Sequence, residues 1–136
     1  MAGFVCDIVT PAAKLVSSEA EMVVVPGVEG EMGFLKDHAP LVSVLADGVV
    51  RVTPLDGGDV ARYALQGGYV EVGGGKVIIL ADRAVAVSDI DVEKVRGTLS
   101  SVEERLSSLS EADAAKTTLP ADKAWCEVQL EAANAA

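Results

Sequence analysis

Residues 61–87 read ARYALQGGYVEVGGGKVIILADRAVAV, and the punctuation of this stretch decides the fold. In Arg62-Tyr63-Ala64-Leu65-Gln66, Tyr63 and Leu65 face one way and the polar residues the other, the period of a half-buried strand. Gly73-Gly74-Gly75, between the runs Tyr69–Val72 and Val77–Leu80, supplies the positive φ that a tight hairpin needs. A further run, Ala84–Val87, follows. Upstream the same grammar repeats, with Asp47-Gly48 and Asp56-Gly57-Gly58 as turns. The runs there are Phe4–Thr10, Leu15–Ser18, Met22–Val25, Met32–Leu35, Leu41–Leu45, Val49–Thr53 and Ala61–Leu65. Ten short strands in under 90 residues satisfy their edges only as a flattened sandwich or barrel.

The chain changes character near Ser88. Of its 13 glycines, 12 lie in residues 1–88, and only Gly97 lies beyond. Val92, Val95, Leu99, Val102, Leu106 and Leu109 recur at helical spacing and form one apolar stripe, with Asp89 or Asp91 as its cap. Ser110–Thr118 reads as a connection, and Thr118 as the cap of a second helix that holds Pro120 in its first turn. Ala121, Ala124, Trp125, Val128 and Ala132 give that helix a weaker stripe, so an antiparallel helical hairpin is expected. The predicted organisation is an all-β domain over 1–88 and a helical hairpin over 89–136.

Composition then narrows the function. The chain has 136 residues, 21 acidic against 11 basic side chains, a net charge of −10 and half its residues hydrophobic. That balance argues against nucleic acid and against attraction to an anionic membrane. The longest stretch free of acidic and basic side chains, His38–Ala46, is nine residues, too short to span a bilayer. The N-terminus lacks the basic and apolar regions of a signal peptide, and Cys6 and Cys126 make no disulfide or zinc framework, so a reducing cytoplasmic setting is expected.

Catalytic chemistry finds little support. Gly27, Gly30 and Gly33 lack the spacing of a nucleotide loop, and Glu29 and Glu31 among them would repel phosphate. His38 is the only histidine; no nucleophile stands near it in the sequence, and one imidazole makes no His-rich metal site. Cys6 and Lys36 have no visible activator. No catalytic residue, no metal and no resident cofactor are expected.

Val25-Pro26-Gly27-Val28-Glu29-Gly30-Glu31-Met32-Gly33-Phe34-Leu35-Lys36-Asp37-His38-Ala39-Pro40-Leu41 closely resembles the hallmark of the epsilon subunit of the F-type, rotary ATP synthase. Gly48–Val52, Ala64–Val72 and Ile79–Ala84 match in the same order, so the resemblance spans the β part and is looser over the helices. It implies a ten-stranded sandwich plus helical hairpin, and a non-catalytic central-stalk subunit that binds gamma, rests on the c-subunit ring and transmits torque between proton flow and the catalytic head. It also implies a partner surface at Glu29, Glu31, Met32, Phe34, His38, Pro40, Leu41 and Val42, with Glu31 as charge partner of a c-ring arginine. Val42, Val44 and the segment near Tyr69 are the candidates for the gamma-facing surface. With no transit peptide, the expected location is the cytoplasmic face of a bacterial inner membrane.

Two departures concern the hairpin. Some family members bind ATP there through Ile or Leu, Asp, two variable residues and Arg-Ala. Here Ile90 and Asp91 match, but Lys94 and Val95 stand at the last two positions, and lysine lacks the planar fork that grips phosphate. The expectation is a cap role for Asp91, with an ATP-sensing, hydrolysis-inhibiting module as the alternative. In inhibitory relatives the last helix carries basic side chains to an acidic segment of the beta subunit. From Pro120 onward this chain has Lys123 against Asp122, Glu127 and Glu131, so a weak inhibitor or none is expected.

Overall fold

A computed structural model describes residues 3–135. The chain divides into two compact units, Met1–Ala86 and Val87–Ala136.

The first unit is a β-sandwich built from a single folded-over sheet. Its strands are β1 (Phe4–Val9), β2 (Lys14–Gly27), β3 (Gly30–Leu35), β4 (Leu41–Val44), β5 (Gly48–Pro54), β6 (Ala61–Gln66), β7 (Tyr69–Gly73), β8 (Lys76–Leu80) and β9 (Arg83–Ala86). Their order is β4-β7-β8-β1-β2-β5-β6-β9, with β3 also paired to β2; β1 and β8 run parallel and the other pairs antiparallel. The described residues form nine strands, one fewer than the sequence suggests. The runs at Leu15–Ser18 and Met22–Val25 are one 14-residue strand. Its polar middle is a register shift between Ala20 and Met22, not a turn. A bulge of this kind bends a strand, so the first half of β2 pairs β1 while the second half pairs β3 on one side and β5 on the other.

The core follows from strand parity. Ile8, Val23, Val25, Phe34, Val50, Leu65, Val70 and Ile79 all point inward and are sealed from water. The Gly67-Gly68 link between β6 and β7 ties the connections around it. Gly67 donates its N–H to the Asp47 carboxylate at 2.9 Å, and the Gly68 carbonyl accepts from Leu45 N–H at 2.9 Å. Gly68 has φ 102°, and a Cβ there would run into the Leu80 carbonyl oxygen, so only glycine fits.

The second unit is a helical hairpin. After a 3₁₀ turn at Val87–Asp89 come α1 (Val92–Ser107), α2 (Glu111–Ala114) and α3 (Leu119–Ala135), with α1 packed against α3. Asp91 caps α1 by accepting the Lys94 N–H at 3.2 Å, and Ser110 caps the single-turn α2, which interrupts the predicted connection. At the start of α3, Thr118 offers its carbonyl to Asp122 N–H at 2.8 Å, but its hydroxyl donates to the Asp122 carboxylate at 3.0 Å. The Leu119 N–H is met instead by the Thr117 hydroxyl at 3.2 Å. Along α1, Val95 and Val102 are buried as the stripe predicts. On α3 the buried residues are Leu119, Cys126 and Ala132, while Ala121 is exposed; an alanine-rich helix gives periodicity too little contrast to fix its face.

Candidate interaction surface

β3 sorts the residues of the hallmark segment by parity. Phe34 is 1% exposed and belongs to the core, which corrects its expected place at a partner surface. Met32 is half-buried against the same core, and Leu41 is likewise half-buried and packed on it. The alternate positions Glu31, Gly33 and Leu35 face outward, and Leu35 is 59% exposed. His38 and Pro40 are exposed in the loop after β3. The His38 ring meets Phe34 edge-on, with centroids 4.9 Å apart, and its Nδ1 lies 2.7 Å from the Ala39 carbonyl oxygen, so Nδ1–H is the donor. Asp37, at φ 66°, turns the chain in this loop between β3 and β4.

The β2–β3 hairpin is stitched to the region of β4. Val28 N–H donates to the Val44 carbonyl at 3.3 Å, and Ala46 N–H to the Pro26 carbonyl at 2.8 Å. Between the two segments lies a shallow groove of about 440 Å³, lined by residues 27–32 and 42–44. It brings together Glu29, Glu31, Met32 and Val42. Val28 is 60%, Val42 66% and Val44 58% exposed, and Tyr69, register partner of Val44, is 49% exposed. The result is an apolar face with an acidic rim.

Glu31 is not free on that rim: the Arg51 guanidinium donates to its carboxylate at 3.0 Å, across the intervening β2. Val28 and Arg51 escape sequence reading. Val28 looks like one more turn residue, and the Glu31–Arg51 pair depends on the register of three strands, which no local pattern encodes.

The other candidate groups have structural surroundings. Burial and the neighbouring Asp7 charge push the Cys6 thiol up to about 12, far from thiolate reactivity. Asp7, 3% exposed, is held below the ordinary carboxylate range by the Ser17 hydroxyl and by Lys76 and Lys14, 3.1 and 3.6 Å away, against the opposing effect of its burial. Ile90 is half-buried, Asp91 is engaged as a cap and Lys94 is exposed. Among the described residues, no cluster of acidic, histidine or cysteine side chains is grouped to hold a metal, and no helix is long and apolar enough to cross a membrane.

A β-sandwich carrying this surface and followed by a helical hairpin is the architecture of an ATP synthase delta/epsilon chain, and residues 3–87 match the family model "ATP synthase, Delta/Epsilon chain, beta-sandwich domain". The ATP synthase epsilon chain of Desulforamulus reducens is 40% identical over 119 residues, covering 87% of this chain and 89% of that relative. The sodium ion specific epsilon chain of Propionigenium modestum is 37% identical over 131 residues, covering 96% and 94% of the two chains. A chain in the Euglena gracilis mitochondrial ATP synthase structure of OSCP, F1 and c-ring superposes with a TM-score of 0.68 at 26% identity, over 96% of this chain and 77% of that one. The chain belongs to the F-type ATP synthase epsilon-subunit family, and as an epsilon chain it is a non-catalytic subunit of that complex.

Proposed function

We propose that this chain is a rotor subunit of the central stalk, which binds gamma and the c-subunit ring through its sandwich and couples proton flow to ATP synthesis. The groove between the β2–β3 hairpin and β4 is the observation that carries this reading. Its apolar wall, Val28, Val42 and Val44, with the exposed Tyr69 as register partner of Val44, suits the burial of a permanent protein partner, which is the part assigned to gamma. Its acidic rim, Glu29 and Glu31, suits the arginine-bearing polar loops of the ring, with His38 and Pro40 alongside. Arg51 holds the Glu31 carboxylate in place before the partner arrives, and a ring arginine would share or replace it. On this reading the chain sits peripherally at the cytoplasmic face of a bacterial inner membrane.

The hairpin is assigned at most a weak inhibitory contact with the beta subunit, and no bound ATP. The Asp91 carboxylate that an ATP site would use already accepts the Lys94 N–H at the start of α1. An ATP-sensing hairpin is the competing reading, and calorimetric titration of the isolated protein with ATP separates the two.

The direct test is co-purification of the tagged chain from detergent-solubilised membranes. Stoichiometric gamma, alpha, beta and c subunits are expected; recovery of the chain alone would overturn the assignment. Glu31→Lys should release the chain from the ring and lower coupled activity. Arg51→Gln, which removes the intramolecular pair but leaves the acid, should retain attachment. Full retention of the Glu31→Lys chain would remove Glu31 from the interface.

A further inference from the structure

The outer face of the sandwich meets the groove at the Glu31–Arg51 pair and extends away from it. On the outer side of β3, β2, β5 and β6, Leu35 lies opposite Met22 and Met22 opposite Thr53, with Val60 one residue beyond the final Val52–Ala61 pair. Leu35, Met22 and Val60 are 59%, 37% and 43% exposed and form an apolar row. In the adjacent row Val24 lies opposite Arg51, and Arg51 directly opposite Arg62. Like charges facing each other across a ladder destabilise it. Glu31 neutralises Arg51, but among the described residues Arg62 has no carboxylate within ion-pair distance. In a chain with 21 acidic side chains, leaving that arginine unmet beside another is a cost to the free subunit.

We propose that this face docks an acidic segment of a partner protein, which lays apolar side chains on the Leu35–Met22–Val60 row and places a carboxylate on Arg62. The chemistry selects the partner. At a net charge of −10 the chain as a whole repels acidic segments, so the Arg62 guanidinium defines the register in which such a segment is attracted. A guanidinium also meets a carboxylate in the planar, two-point geometry that fixes orientation. The proposal rests on Arg62 and the Leu35–Met22–Val60 row, none of which lines the groove, and does not rest on the assignment of gamma or the ring.

The test places a photo-activatable phenylalanine at Val60 of the full chain in its own cells. After irradiation and denaturing purification, the cross-linked peptides are sequenced. The expected product is one segment of another protein with Asp or Glu beside apolar residues. Arg62→Glu should lower its yield about tenfold, and reversing the partner's acid to lysine should restore it. Circular dichroism of the Arg62→Glu and milder Arg62→Gln chains establishes that the sandwich is intact. Cross-links to lipid alone, to this chain itself, to segments without acids, or to nothing would overturn the proposal, as would a yield indifferent to Arg62. The same probe at Val42 reports the groove partner independently, so either assignment can fail while the other stands.

Discussion

Asp7 and Cys6 are neighbours on β1 whose side chains take opposite faces, and their ionisation is governed by opposite causes. The Asp7 carboxylate is stabilised by Ser17, Lys76 and Lys14, so it holds its proton less tightly in the folded chain than in the unfolded one. The contribution to stability is therefore full above the ordinary carboxylate range, near pH 4, and is lost as pH falls through the lowered folded value. The Cys6 thiol has its value raised to about 12, so the folded chain keeps a proton that the unfolded chain releases from about pH 8.5 upward. Its contribution is full below that point and declines as pH rises toward the folded value. Urea unfolding followed across pH should lose stability at both ends. Asp7→Asn should cost about 1–3 kcal/mol at neutral pH and flatten the acid limb while leaving the alkaline one in place. An unchanged acid limb in that variant would mean that Asp7 contributes no linkage.

At the scale of elements, parity was legible wherever apolar and polar residues alternate. Val50 and Val52 flank Arg51 on β5, and Val70 and Val72 flank Glu71 on β7, and these valines turn inward; β8, apolar from Val77 to Leu80, offers no such contrast. The same logic, applied to β3, would have placed Phe34 inside, but the segment's resemblance to a partner surface drew it outward. β2 was not legible as one strand, because a bulge beside Glu21 reads locally like a turn. The groove was half legible: its two walls were named separately, and only the Val28–Val44 and Pro26–Ala46 hydrogen bonds bring them together. The cap of α1 was legible because Asp91 precedes a regular apolar stripe, whereas the buried face of α3 was not. Asp91→Ala should destabilise the hairpin by about 1 kcal/mol, and Asp91→Asn, an equally good cap, by much less. Helix content against temperature in the full chain distinguishes these. Equal losses in both variants would mean that the negative charge, not the hydrogen bond to Lys94, is what α1 uses.

At the scale of the whole molecule, the hairpin's charge bears on regulation. α3 exposes Glu127 and Glu131, while its one basic residue, Lys123, is half-buried. A helix with this surface meets an acidic segment of a catalytic subunit with repulsion on its open side, and bringing the charges out of water raises the penalty. An extended hairpin would also have to leave the α1–α3 packing that buries Val95, Val102 and Cys126. Truncating the chain after Ser88 in the assembled complex should therefore leave ATP hydrolysis within about twofold of the intact enzyme. Coupled synthesis should persist, because the groove and the rotor contacts assigned to it lie wholly within the sandwich. A large rise in hydrolysis on truncation would show that the hairpin restrains the enzyme despite its charge. Grafting lysine at Glu127 and Glu131 supplies the converse: if charge is what prevents docking, that variant, unlike the native chain, should acquire inhibition that truncation relieves.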